Sequence, residues 1–128
     1  MIVDSSALVA VLHQEPGHAE VKQAMRDAEV VSIGAPTLVE CVVVIGRADG
    51  QEGVDALSRL IHELRIEVLS FDEPHADLAT EAFLDFGKGR HPARLNYGDC
   101  MTYATARRAD RPLLYTGTDF AQTDIHAA

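Results

Sequence analysis

Apolar residues in this chain come in two kinds of run. Short unbroken stretches bounded by turn residues occur at Ile2-Val3, Val30-Val31-Ser32-Ile33, positions 66–71 and Leu113-Leu114-Tyr115-Thr116, a pattern that predicts buried strands. Between them apolar positions recur every three or four residues. Ser5 and Ser6 open the run Ala7 to Leu12, and Val21, Ala24 and Met25 mark a short helix over 18–27. Val54, Leu57, Ile61 and Leu64 form a clean amphipathic helix, and Leu78, Ala79, Ala82, Phe83 and Phe86 form the buried face of another that starts at Asp72. Asn96 caps a last helix reaching Arg108. The stretch 37–45 fits strand or helix by periodicity. Helix is preferred because Pro36 suits a first helical turn and the pattern runs on to Gly50. Breaks fall at Glu15-Pro16-Gly17, Gly34-Ala35-Pro36, the glycine- and proline-bearing loop 87–95, and Arg111-Pro112. Residues 121–128 read as a loosely packed tail.

Strands alternating with helices predict an α/β fold, a three-layer α/β/α arrangement around a mainly parallel sheet of four to five strands. A chain of 128 residues is expected to form one domain, 1–128. Apolar residues make up 47%, which excludes a disordered chain, and no apolar run approaches the roughly 20 residues of a membrane span. No basic segment leads into a signal-like stretch, so a cytoplasmic location without membrane attachment is expected. Cys41 and Cys100 fit no zinc spacing and read as small core residues.

Charge changes the picture in one place. The net charge is −9, which argues against a protein that coats nucleic acid. Yet positions 88–111 hold six basic residues (Lys88, Arg90, Arg94, Arg107, Arg108 and Arg111) against Asp99 and Asp110, a local +4 that leaves −13 elsewhere. Nine of the eleven basic residues are arginine, which suits forked recognition of phosphate. A basic glycine-bearing loop running into a helix start is one way to meet a phosphate-bearing substrate; an ordinary solvated surface is the other reading.

Four acids recur at one kind of location. Asp4 and Asp119 stand just past predicted strands, and Glu40 and Asp99 stand in the first turns of predicted helices. In open α/β sheets ligands bind beyond the carboxyl ends of the strands. Each acid alone has an ordinary explanation: Asp4 and Asp99 suit helix N-termini, and Glu40 can point to solvent. Four converging on one edge would repel one another and raise their pKa values. A hard divalent cation resolves this, and an all-oxygen set favours Mg²⁺ or Mn²⁺ over Zn²⁺.

Four motifs carry a family pattern: Ile2-Val3-Asp4-Ser5-Ser6-Ala7-Leu8, Pro36-Thr37-Leu38-Val39-Glu40, Leu95-Asn96-Tyr97-Gly98-Asp99-Cys100 and Leu113-Leu114-Tyr115-Thr116-Gly117-Thr118-Asp119-Phe120. In order and spacing, over essentially the whole chain, they resemble the PIN-domain nucleases, and specifically the VapC-type toxins of bacterial toxin–antitoxin pairs. The resemblance implies a PIN-like domain and a metal-dependent endoribonuclease. It makes Asp4, Glu40, Asp99 and Asp119 the catalytic quartet, with Asp4, Asp99 and Asp119 holding Mg²⁺ or Mn²⁺. It casts Ser6 and Asn96 as hydrogen-bonding supports. Thr118 stands where many relatives have a further acid, and its supporting role would be a hydrogen bond to a carboxylate or to water at the metal. Also implied are RNA as substrate with 3′-hydroxyl and 5′-phosphate products, a homodimer, and a cognate antitoxin that covers the site. Arg90 and Arg94 are expected to contact substrate phosphates.

Three rivals are weighed against this. A receiver domain needs a lysine after its last strand, and the two lysines, Lys22 and Lys88, are not placed so. A haloacid-type phosphatase needs Asp-x-Asp after the first strand, where this chain has Ser6. The third is a non-catalytic PIN-like module whose acidic pocket binds a partner's arginines.

Overall fold

A computed structural model describes all 128 residues. The elements run β1 (Ile2–Val3), α1 (Ser5–Leu12), α2 (His18–Asp27), β2 (Ser32–Gly34), α3 (Ala35–Glu63), β3 (Glu67–Leu69), α4 (Glu73–Phe86), α5 (Tyr97–Ala109) and β4 (Leu113–Leu114). The four strands form one sheet in the order β3-β2-β1-β4, and every pairing is parallel. The chain builds outward from β1 to β2 and β3, then returns to place β4 on the other side of β1. Strand order therefore reverses at β1 and β4, the position where open α/β sheets leave a crevice.

Alternation along the strands sends consecutive residues to opposite faces. Ile2 and Leu113 join the core under α4 and α5, with Ala79, Ala82, Leu95, Tyr103 and Phe120. Val3 and Leu114 join the core under α1, α2 and α3, with Leu8, Met25, Ile33, Cys41, Leu57 and Leu60. Two cores on the two faces of one sheet make the expected three layers.

Gly50 interrupts α3 with φ 64 and ψ −153, a conformation that only glycine adopts without strain. The α3 span is thus two helices meeting at a kink, as the sequence anticipates. Strand β3 is shorter than the apolar run 66–71, and it is the sheet edge. Glu67 and Val68 are exposed there. The buried face expected for α4 is only partly so, because Phe83 is 45% exposed. Apolarity is a poorer guide still in α3, where Val39, Val42, Val43 and Val44 all stand exposed. The tail is not loose. Ala127 pairs with Leu113 in an isolated parallel bridge, and Asp124 accepts from the Tyr103 hydroxyl and the Arg107 guanidinium.

Arg111 also belongs to the fold. Its guanidinium donates to Ser32 Oγ and to the carbonyls of Met1 and Val30, tying together the amino ends of β1 and β2. That is the sheet end opposite the acids. Of the six basic residues in the basic segment, Arg107 and Arg111 therefore have intramolecular partners, as does Arg90, which donates to the Leu84 carbonyl.

Candidate active site

Asp4 follows β1 directly and caps α1, its Oδ2 accepting from the Ser6 amide at 3.0 Å. Its Oδ1 accepts from the Thr102 hydroxyl on α5 at 2.9 Å, and the residue is 4% exposed. A buried carboxylate needs such donors. The Ser6 hydroxyl, expected to support an acid, instead accepts from the Thr116 amide just past β4. Ser6 thus supports Asp4 through its backbone and stitches the ends of β1 and β4 through its side chain.

Asp99 lies in the first turn of α5 in a reciprocal capping box. Asn96 Oδ1 accepts from the Asp99 amide at 2.8 Å, and Asp99 Oδ2 accepts from the Asn96 amide at 2.9 Å. Asn96 therefore supports Asp99 as expected. Burial pushes the Asp99 carboxyl up to about 6; the Asn96 amide opposes this, and the charges of Asp4, Asp119 and Glu40 add to it.

Glu40 projects from the second turn of α3. Its carboxyl is raised above the usual range, first by burial and then by Asp4, with the Ser5 hydroxyl beside it pulling the other way. It lies against Gly98, where a Cβ would overlap Glu40 Oε1 and push the carboxyl group aside. Asp119, past β4, is exposed. The structure thus gathers the four predicted acids around the carboxyl ends of β1 and β4.

None of the four is in an ion pair with lysine, arginine or histidine. Their mutual repulsion is unrelieved by any cation of the protein. The oxygens are not drawn into one coordination sphere, and no three His, Cys, Asp or Glu side chains stand close enough to share an ion. Asp4 is held by Ser6 and Thr102, and Asp99 by Asn96. Each accepting oxygen keeps a second lone pair. In chemistry, if not in present spacing, the set fits a hard divalent cation.

Other predicted residues fall outside this cluster. Thr118 is exposed, and its side chain bonds none of the acids. Arg90 donates to the Leu84 carbonyl and lies over the Phe83 ring, so its guanidinium is folded onto α4. Arg90, Arg94, Lys88 and His91 line a polar cleft of about 500 Å³. An apolar cleft of about 650 Å³, walled by Phe71, Phe83, Leu95 and Met101, also has Asn96 and Cys100 in its wall. It has no acid in its wall and is not where the acids act. The cysteines are core thiols, Cys41 pushed up to about 12 and Cys100 to about 11, chiefly by burial.

Two residues to which the sequence reading gives no role are Thr102 and Thr37. Thr102 is one helical turn past Asp99, and Thr37 is one turn before Glu40. A hydroxyl one turn from an acid, on the same helix face, was the available signal.

The PIN domain family model matches residues 1–125. Ribonuclease VapC36 of Mycobacterium tuberculosis is 46% identical over 126 residues, covering 98% of this chain and 91% of that protein. Ribonuclease VapC of Mycolicibacterium smegmatis is 38% identical over 127 residues, covering 99% and 98%. Among solved structures, Mycobacterium tuberculosis VapC20, described as a sarcin-ricin loop cleaving toxin, superposes with a TM-score of 0.78 at 18% identity over 99% of this chain and 97% of that one. VapBC2 from Rickettsia felis, bound to a promoter DNA fragment, gives 0.73 at 14% identity over 98% and 94%.

Proposed function

The chain belongs to the PIN-domain family, among its VapC ribonucleases, and we propose that it is the toxin of a toxin–antitoxin pair, an endoribonuclease that hydrolyses RNA phosphodiester bonds with Mg²⁺ or Mn²⁺. The observation that carries the reading is four acids at the β1/β4 switch point, coupled to one another and left without a protein cation. Asp4, Asp99 and Asp119 are the residues to hold the ion. When bound, such a cation supplies a nucleophile at neutral pH and counter-charge for the phosphate.

The chain's own residues supply position and proton transfer. Asp4 and Asp99 are pre-oriented by donors on both sides of the site. Glu40, with its raised pKa, is the group suited to take a proton from an attacking water. Arg90 and Arg94 contact substrate phosphates from the polar cleft, Arg90 after leaving Phe83. Thr118, exposed beside Asp119, serves by hydrogen bonding through water.

The reading extends to the assembly. The exposed valines of α3 give a homodimer an apolar face, and a cognate antitoxin covers the acids, which have no cation of their own. No helix is long and apolar enough to cross a membrane. With RNA as substrate, the chain acts as one domain in the cytoplasm. The test is RNA cleavage with Mn²⁺ and with chelator, comparing wild type with Asp4→Asn. Cleavage that requires metal and is lost in the variant supports the reading; chelator-resistant cleavage, or a fully active variant, removes it.

A further inference from the structure

Behind the acids runs a short chain of buried hydroxyls. Thr102 Oγ1 lies 2.9 Å from Asp4 Oδ1, and Thr37 Oγ1 lies 2.9 Å from Thr102 Oγ1. Thr102 is 0% exposed and Thr37 is 1% exposed, so no solvent competes for either group. A hydroxyl has one proton to give. Asp4, when ionised, can only accept, so the Thr102 proton is committed to it. Thr102 must then accept from Thr37. The direction of the relay, Thr37 to Thr102 to Asp4, follows from this proton count. A hydroxyl that accepts while it donates is a stronger donor.

The relay also has a mechanical consequence. Thr37 lies one turn before Glu40 in α3, Thr102 lies one turn after Asp99 in α5, and Asp4 ends β1. It therefore links the three elements that carry three of the four acids. At the other oxygen of Asp4 the only donor is the Ser6 amide. Two donors from opposite sides fix both the tilt and the rotation of the carboxylate, leaving one lone pair on each oxygen. No buried side-chain oxygen or nitrogen lacks a partner in this protein, so removal of the Thr102 hydroxyl would create two orphans at once, Asp4 Oδ1 and Thr37 Oγ1.

We propose that Thr102, backed by Thr37, is a positioning residue that presents the Asp4 carboxylate to a divalent cation. The proposal rests on the metal-dependent reading above. Groups that hold a metal ligand by hydrogen bonds typically matter about 10–100-fold in metal affinity or activity. Thr102→Val keeps the shape and deletes the hydroxyl, and Thr102→Ser keeps the hydroxyl and deletes the methyl group.

The experiment titrates Mn²⁺ into RNA-free wild type, Thr102→Val and Thr102→Ser by calorimetry, with melting curves in chelator to verify folding. Cleavage is then measured against both Mn²⁺ and RNA concentration. The expected result is a loss of about 10–100-fold in Mn²⁺ affinity for Thr102→Val, near-wild-type affinity for Thr102→Ser, and an unchanged KM for RNA. Thr37→Val should weaken Mn²⁺ binding in the same direction and less. If valine is not accommodated at 102, Thr102→Ala replaces it in the same comparison. A folded Thr102→Val or Thr102→Ala with wild-type Mn²⁺ affinity overturns the proposal, as does a Thr102→Ser that fails as badly as they do. Wild type that binds no Mn²⁺ and cleaves in chelator overturns the metal reading itself, and the proposal with it.

Discussion

Asp4 and Asp119 follow neighbouring strands of one sheet, and little else about them is alike. Asp4 is buried, caps a helix, and receives a donor at each oxygen. Asp119 is exposed, and no side-chain donor reaches its carboxylate. The same division separates the preformed hydrogen bonds of Asp4 and Asp99 from the polar cleft of the 87–95 loop, where Arg90 rests on Phe83. The inner half is built by the fold before any ligand arrives. The outer half has its charged groups in water or on temporary partners, so its contribution must come from the ligand's own contacts. Preorganised groups should therefore carry the chemistry, and exposed groups should tune binding.

The widest effect should separate the two acids directly. Asp4→Asn should lower metal-dependent RNA cleavage by at least about a hundredfold, the kinetic equivalent of roughly 3 kcal/mol. The fold should survive, because an amide can accept from Ser6 with its oxygen and donate to Thr102 with its nitrogen once that hydroxyl rotates. Asp99→Asn should be comparably damaged. Asp119→Asn should lose less, because an exposed ligand can be replaced by water. Equal losses at positions 4 and 119, measured as kcat at saturating Mn²⁺, would erase the distinction between the halves.

A smaller effect is expected from the basic loop. Replacing Arg90 and Arg94 together by Ala should weaken RNA binding and flatten its salt dependence by about 0.7 in log–log slope per lost phosphate contact. Circular dichroism should show an intact fold, because Arg90 contributes only an exposed carbonyl bond and a ring contact. A binding isotherm series from low to moderate salt decides it. An unchanged slope would assign these arginines to protein contacts and leave the outer half without a substrate role.

The inner half was also the more legible one. Strand ends, caps and helical spacing are local, and from them Asp4 is expected just past the first strand and Asn96 and Asp99 at the start of a helix, where the structure has them. What escaped was pairing at a distance. Thr102 meets Asp4 across 98 positions of sequence, and no periodicity encodes that. The tail looked loose because its residues are small and polar, yet Asp124 holds Tyr103 and Arg107. The valines after Glu40 stand exposed, and hydropathy does not say whether a helix face meets its own core or is left for a partner. Arg111 looked like part of a segment that could face a substrate, but backbone carbonyls just before the first two strands claim it.

The subtlest prediction asks what the inner half costs when no metal neutralises it. Asp99 is raised from 3.8 to about 6, chiefly by burial and further by Asp4, Asp119 and Glu40. A raised carboxyl means that the folded state holds the proton more tightly than the unfolded chain. Stability should therefore be greatest below pH 3.8 as far as this group is concerned, and fall as pH rises towards and through 6. Asp99→Asn removes that slope. The amide keeps the size of the side chain and can still accept from the Asn96 amide, giving up roughly 0.3–1 kcal/mol of favourable interaction with the helix dipole. Repulsion among partly desolvated acids should exceed this. In chelator at pH 7 the variant should melt no lower than wild type, and between pH 5 and 7 its Tm should fall less steeply. Metal should reverse the order, since a cation at 100 times its dissociation constant stabilises the wild type by about 2.7 kcal/mol and the variant by much less. Thermal melts of both proteins at the two pH values, with chelator and with Mn²⁺, make the test. Equal Mn²⁺-induced shifts would reduce Asp99 to a helix cap, and the inner half of the site would then be Asp4 and its hydroxyls alone.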